Sequence, residues 1–269
     1  MTSSSNAPRP RSGTVNGPLW GERAGDWAAI QEAQFRQAYD EVLDRLALPR
    51  GARLCDAGCG AGLAAQIAAG RGLQVCGVDA AQALLAIARQ RVPGADLRHG
   101  DLEDLPFADG SVDAVTGFNA FQYAADPVAA LAEARRITRA GGVVVVMTWG
   151  SPQGMEAASL VAALKPLLPA PPPGAPGPFA LSDPEALRQL ATSAGCRPVE
   201  VHDTQTAWQY PDLATALRGL ASSGVAARAI AHSGAAAVDA AHETALAPFR
   251  RPDGSYRIGA AFRWMLAQA

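Results

Sequence analysis

Seven consecutive residues, Asp56-Ala57-Gly58-Cys59-Gly60-Ala61-Gly62, carry the most specific chemical signal in the chain. An apolar stub, Arg53-Leu54-Cys55, leads in, and a small-residue run over 63–69 leads away. That pattern reads as strand, glycine turn, helix. Glycine lacks a Cβ and accepts positive φ, so such a turn brings bare backbone against a ligand. The N–H groups that open the next helix then point at that ligand. A dinucleotide fingerprint wants Gly-x-Gly-x-x-Gly, and Leu63 stands where its third glycine would fall. Two acids recur at the ends of expected strands. Asp79 closes the run 73–78, where a carboxylate can accept both ribose hydroxyls of a nucleoside. Asp101 follows the run 96–99, where it can accept an adenine amino group while the Leu102 N–H meets a ring nitrogen.

These residues need strand ends to stand on, and the rest of the chain supplies them. Residues 1–18 read as a disordered tail, rich in Ser, Pro and Arg. Asp26 is the expected cap of one long helix, whose apolar face is Trp27, Ile30, Phe35, Ala38, Tyr39, Val42, Leu43 and Leu46, with Pro49 and Gly51 as its stop. Strands over 53–56, 73–78, 96–99, 112–118 and 143–149 alternate with helices over 61–69, 81–91 and 127–139, the last capped by Asp126. This βαβα rhythm predicts a mostly parallel sheet with helices on both faces, binding its ligand outside the carboxyl ends of the strands. After Trp149 the rhythm breaks. A helical piece over 155–168 precedes a proline-stiffened run over 169–174. Then come a helix over 184–194 capped by Ser182, a strand over 197–208, helices over 212–247 broken near Gly224 and Gly234, and a strand over 256–266.

Composition narrows the function. Net charge is −2 and no basic cluster stands out, which argues against a nucleic-acid partner. Apolar residues make up 49% of the chain, enough for a sizeable core. The cysteines, Cys55, Cys59, Cys76 and Cys196, form no Cys-x-x-Cys pair and no zinc pattern, so no metal is expected. They read as reduced thiols of a cytoplasmic protein. Neither a signal peptide nor a membrane-spanning run is evident. Monomer and homodimer both remain open.

The stretch Gly100-Asp101-Leu102-Glu103-Asp104-Leu105-Pro106-Phe107-Ala108-Asp109-Gly110-Ser111-Val112-Asp113, with the glycine turn, Asp126-Pro127 and Gly141-Gly142, resembles the class I S-adenosylmethionine-dependent methyltransferases. It is similar in particular to the type 11 branch, which contains the ubiquinone/menaquinone C-methyltransferases and other small-molecule enzymes. The resemblance covers about residues 50–150. It implies an α/β, doubly wound, Rossmann-like sheet of seven strands, mostly parallel with the last antiparallel, carrying an N-terminal helical cap and an inserted lid. The expected division is a tail at 1–18, a cap at 19–50, a cofactor-binding core at 51–150, and lid plus C-terminal half of the same domain at 151–269. The implied cofactor is S-adenosyl-L-methionine, with S-adenosyl-L-homocysteine as product. The family's roles place Gly58, Cys59 and Gly60 near the methionine moiety, with Asp56 supporting the loop. Asp79 and Ala80 would hold the ribose, Asp101 and Leu102 the adenine, and Asn119 would lie beside the sulfonium.

The resemblance implies methyl transfer to O, N or C of a small-molecule acceptor. Displacement at a sulfonium methyl is in line, so alignment does most of the work. The family often has a His pair where this chain has Gln122 and Tyr123, which removes an obvious base. Trp20, Trp27, Gln122, Phe179 and Trp208 are the expected acceptor contacts. His99 is expected to pack in its strand, and none of His202, His232 and His242 has a motif that makes it a base. Glu103-Asp104 reads as a solvated turn. Two alternatives compete: binding of S-adenosylmethionine without methyl transfer, and an NAD(P)-dependent oxidoreductase, against which Leu63 and Asp101 both argue.

Overall fold

The computed structural model describes residues 11–170 and 178–269. Residues 1–10 of the expected tail and 171–174 of the expected proline run lie outside the described residues.

The valines at 143–146 explain the centre of the fold. They belong to β5 (Thr138–Trp149), which is buried from both sides, so both of its faces must be apolar. Val144 and Val146 pack on α6 (Pro127–Ile137) and α8 (Pro184–Ser193). Val145 and Met147 pack on the opposite layer, with α3 (Arg36–Leu46) and α4 (Leu63–Gly70). The other strands are β1 (Arg53–Ala57), β2 (Gln74–Asp79), β3 (Asp96–His99), β4 (Val112–Phe118), β6 (Arg197–Tyr210) and β7 (Tyr256–Gln268). They form one seven-stranded sheet in the order β3-β2-β1-β4-β5-β7-β6. β1 to β5 pair in parallel, and β7 runs antiparallel to both neighbours, as the resemblance implies. The order reverses at β1, which puts the switch point at the glycine turn. α5 (Gln82–Arg91) follows β2 and packs on β3.

Helices added to this sheet cover its carboxyl edge. α1 (Ser12–Gly21) occupies residues expected as tail. It packs on α5 and on α10 (Gly224–Ser233). α7 (Ala158–Ala163) lies between β5 and α8 in sequence, while α9 (Leu213–Ala221), α10 and α11 (Ala235–Leu246) lie between β6 and β7. The single long cap helix is corrected: the segment is α2 (Ala24–Asp26), a π turn (Trp27–Gln31), a 3-10 turn (Glu32–Phe35) and α3. Asp26 does not cap it, because its own backbone is helical at φ −69 and ψ −39; its carboxylate pairs with Arg218 instead. Asp126 caps α6 as expected, accepting from the N–H groups of Val128 and Ala129, each at 3.1 Å. Asp183, not Ser182, caps α8, accepting from the Glu185 N–H at 2.9 Å, while the Ser182 hydroxyl donates to the Trp149 carbonyl at 2.8 Å.

Candidate functional site

The glycine turn is built from backbone conformations that side chains resist. Gly58, Gly60 and Gly62 sit at φ +78, +53 and +85. A Cβ on Gly58 would stand 2.5 Å from Ala120 Cβ, whereas one on Gly60 would meet nothing nearer than Glu32 Oε1 and Trp27 Nε1, each at 3.7 Å. Gly58 is therefore a packing glycine, and Gly60 faces open space in the crevice it lines. The N–H groups of Gly58 and Cys59 both donate to the Val78 carbonyl, at 2.8 and 3.0 Å. The Cys59 side chain packs behind the turn with Leu85, Ala88 and Leu97, so its thiol lies outside the crevice. Burial pushes that thiol's pKa well up, and Asp79 pushes it further.

Three carboxyl groups support the turn. Asp56 is buried beneath it and accepts from the Thr116 hydroxyl at 3.0 Å. Burial pushes its pKa up to about 7, with Glu32 and Asp79 adding to the rise. Asp79 accepts from the Gly60 N–H at 2.8 Å and the Ala81 N–H at 2.7 Å, one on each oxygen. Burial still raises its pKa, and those donors limit the rise. An ionised carboxylate has about four lone-pair sites, so Asp79 keeps acceptor capacity toward the crevice. Glu32 escaped the sequence reading. It is buried, paired with Arg91, and accepts from the Leu63 N–H at 3.3 Å at the start of α4. Burial raises its pKa against the pull of Arg91. Arg91 also donates to the carbonyls of Ala61 at 3.0 Å and Ala28 at 2.7 Å, tying the cap to the glycine turn.

α1 closes the other side of the crevice. The Asp101 carboxylate accepts from the Gly13 N–H at 2.8 Å, and the Ser12 hydroxyl lies 2.8 Å from Glu103 and 3.3 Å from Asp101. Burial acts to raise the Asp101 pKa, but hydrogen bonds from Glu103, Gly13 and Ser12 hold it below the usual range. Burial and Asp101 push Glu103 up in turn. Glu103 is thus no solvated turn residue: its other oxygen accepts from the Ala125 N–H at 2.7 Å. His99, expected to pack, is exposed on edge strand β3, with Nε2 3.1 Å from the Ala80 carbonyl. Ser12, Gly17 and Trp20 of α1 line the crevice together with Asp79, Ala80 and Leu102, and Gly17 packs directly on Ala80.

Asn119 stands where this crevice meets a second cavity, and lines both. Its backbone is left-handed at φ +50, and its N–H donates to the Met147 carbonyl at 3.0 Å. Both polar atoms of its side chain are buried with no partner among the described residues. Trp20 and Trp27, whose ring centroids lie 5.0 Å apart, also line both spaces. Trp208 lines the second cavity. Gln122 lines neither, and its amide is buried without partners among the described residues. Phe179 packs edge-on against Trp149 at 6.4 Å and also lines neither. The second cavity adds residues that sequence reasoning passed over: Gln31, Phe35, Tyr123, Trp149 and His242. Burial pushes the His242 pKa down to about 4, with Asp239 opposing. No local pattern marked His242, since it reaches the cavity from α11 while the glycine turn lies at the far end of the sequence.

Residues 55–146 match a family model described as a methyltransferase domain. A Mycolicibacterium smegmatis protein named "Probable S-adenosylmethionine-dependent methyltransferase" is 38% identical over 132 residues, 49% of this chain and 51% of that protein. A demethylmenaquinone methyltransferase of Renibacterium salmoninarum is 36% identical over 123 residues, 46% of this chain and 52% of that protein. The chain spans about half the length of the curated relatives it matches. The fold is similar to that of the [4+2]-cyclase SpnF, with a TM-score of 0.59 at 21% identity, over 94% of this chain and 92% of that one. The resemblance read from the glycine turn and the 100–113 stretch is thus the one these comparisons return.

Proposed function

We propose that this chain moves a methyl group from S-adenosylmethionine to O, N or C of a small-molecule acceptor, chiefly by holding the two in line. The observation that carries this reading is Asn119: a buried amide on a left-handed backbone, without a partner among the described residues, where the crevice lined by Gly60 and Asp79 meets an aromatic cavity. A buried polar group without a partner costs about 1–3 kcal/mol, a cost that a ligand atom at that junction would remove. The donor supplies an electrophilic methyl on a sulfonium. Gly60 lets the methionine portion approach the backbone, and Asp79 offers its remaining lone pairs to ribose hydroxyls. Ala80, beside Asp79, and Leu102, beside Asp101, line the crevice and would meet the ribose and the base respectively. Asp101 is already engaged by Ser12 and Gly13, so an adenine amino group there shares it with α1. Trp20 and Trp27 exclude water from the junction, which strengthens electrostatics and protects the donor. Alignment of this kind is worth on the order of 7–11 kcal/mol of barrier.

The test pairs thermal shift with label transfer. S-adenosylmethionine and S-adenosylhomocysteine raise the melting temperature, and NAD does not. Incubation with methyl-tritiated donor and a metabolite extract then moves label into a small molecule. Stabilisation without label transfer would favour a protein that binds the donor without using its methyl, and stabilisation by NAD alone would favour an oxidoreductase.

A further inference from the structure

The six backbone N–H groups of residues 58–63 are all engaged within the protein. Those of Gly58 and Cys59 donate to the Val78 carbonyl at 2.8 and 3.0 Å, and that of Gly62 donates to the Cys59 carbonyl at 2.9 Å. Asp79 takes the Gly60 N–H at 2.8 Å. Glu32 takes the N–H groups of Ala61 and Leu63. The opening of a helix is ordinarily a ready anion site, and here the protein's own carboxylates fill it.

The charges around the turn point the same way. No Lys, Arg or His is among the described lining residues of the donor crevice. Glu32, Asp56 and Asp79 lie near enough to one another that the first and third both push the Asp56 carboxyl up. Arg91, the cation paired with Glu32, also donates to the carbonyls of Ala61 and Ala28, so it is committed to the turn and the cap. Two side-chain atoms reach the opening above Gly60. Glu32 Oε1 and Trp27 Nε1 each lie 3.7 Å from the point where a Cβ on Gly60 would stand. The first accepts and belongs to an acid, and the second is a neutral donor. Arg91, Ala61 and Leu63 occupy three of the roughly four lone-pair sites of Glu32, which leaves about one for a ligand.

We propose that this end of the crevice recognises the donor's tail by its ammonium, set against Glu32 beside Gly60, and offers its carboxylate no charged partner, so that an adenosine thioether or sulfonium whose tail carries an amine alone is also a ligand. An ammonium against Glu32 makes a charge-assisted contact, about twice as strong as a neutral one. A carboxylate there meets one neutral indole N–H and three acids of its own sign, so gain and repulsion nearly cancel. The proposal rests on the methyl-transfer reading for the identity of the nucleoside and goes beyond it in saying which charge of the tail is read. Glu32 is a binding residue in this scheme and takes no part in moving the methyl group.

The experiment is calorimetric titration of the full chain with three adenosine thioethers. S-adenosylhomocysteine carries both charges, 5'-deoxy-5'-(3-aminopropylthio)adenosine only the ammonium, and 5'-deoxy-5'-(3-carboxypropylthio)adenosine only the carboxylate. The first two bind within about threefold of each other, and the carboxypropyl compound binds at least about tenfold more weakly than the aminopropyl one. Glu32→Gln keeps the side chain's length and loses its charge. It brings the two single-charge compounds within about threefold of each other, by weakening the aminopropyl compound and not the carboxypropyl one, whose retained binding certifies the fold. Should this variant lose all binding, the wild-type ranking decides. Carboxypropyl binding as tight as aminopropyl in the wild type, aminopropyl binding more than about tenfold weaker than S-adenosylhomocysteine, or an undiminished gap in a Glu32→Gln chain that still binds overturns the proposal and leaves the donor site standing. Absence of heat with all three compounds in the wild type overturns the methyl-transfer reading itself and this proposal with it.

Discussion

Asn119 carries a local cost within the fold. It combines a left-handed backbone with a buried amide that has no partner among the described residues. Asn119→Gly removes both burdens, so it raises unfolding stability by about 1 kcal/mol in denaturant titration. On the methyl-transfer reading, the same change lowers transfer at least about tenfold, because a polar contact at the junction of the two spaces is lost. Asp56 carries a different signature. Its pKa is about 7 in the fold against 3.8 for an unperturbed carboxyl. Between those values the folded chain binds more protons than the unfolded one. Its contribution to stability is therefore fully present below about pH 4 and is lost as pH rises through about 7. His242 works in the opposite sense: the unfolded chain protonates it first, so its contribution is lost as pH falls from about 6.5 through about 4. Urea midpoints measured from pH 4 to pH 8 test the first effect. Asp56→Asn removes the falling component of the profile, leaving stability flatter or rising with pH across that window.

Among the elements, α1 changes the picture most. It forms a wall of the crevice, and its fit depends on Gly17, where a Cβ would clash with the Ala80 carbonyl oxygen. Gly17→Val lifts α1 away at an overpacking cost of about 1–3 kcal/mol. Hydrogen exchange over residues 12–21 then accelerates, and affinity for S-adenosylhomocysteine falls about tenfold or more. Neither of the largest core clusters includes an α1 residue, so the loss stays local and the melting temperature falls by no more than several degrees. The Glu32–Arg91 pair acts as a staple beneath this wall, joining the cap to the helix that opens at Leu63. Breaking one half of such a partly buried pair leaves the other uncompensated. Arg91→Met accordingly destabilises the fold by about 3 kcal/mol in denaturant titration.

At the scale of the whole molecule, the sheet was legible and the cavity was not. Strands read from apolar runs with turn residues at their ends were found within a few residues of their expected bounds, because periodicity and punctuation are local signals. The acids at 79 and 101 stand at strand ends for the same reason, and the helix breaks near Gly224 and Gly234 were equally local. What sequence could not supply was convergence. Trp20, Phe35, Trp149, Trp208 and His242 come from five separate segments to line one cavity, and no spacing rule links them. Helix α1 was missed because Ser12-Gly13 and Gly17-Pro18 argue against a helix locally, while contacts with Ala80 and Asp101 hold it in place. Gln122 and Phe179 were expected at the acceptor on position alone, and their side chains lie outside both cavities.

The central claim is that a sulfonium- or thioether-bearing adenosine would lie between Gly60, Asp79 and Asn119. Calorimetric titration of the full chain with S-adenosylhomocysteine tests it most directly, with Asp79→Asn as the paired variant. One-site saturable heat in the wild type, weakened at least about tenfold when the carboxylate that takes the Gly60 and Ala81 N–H groups becomes an amide, is the expected result. Absence of heat in the wild type, or equal affinity in the two proteins, contradicts it.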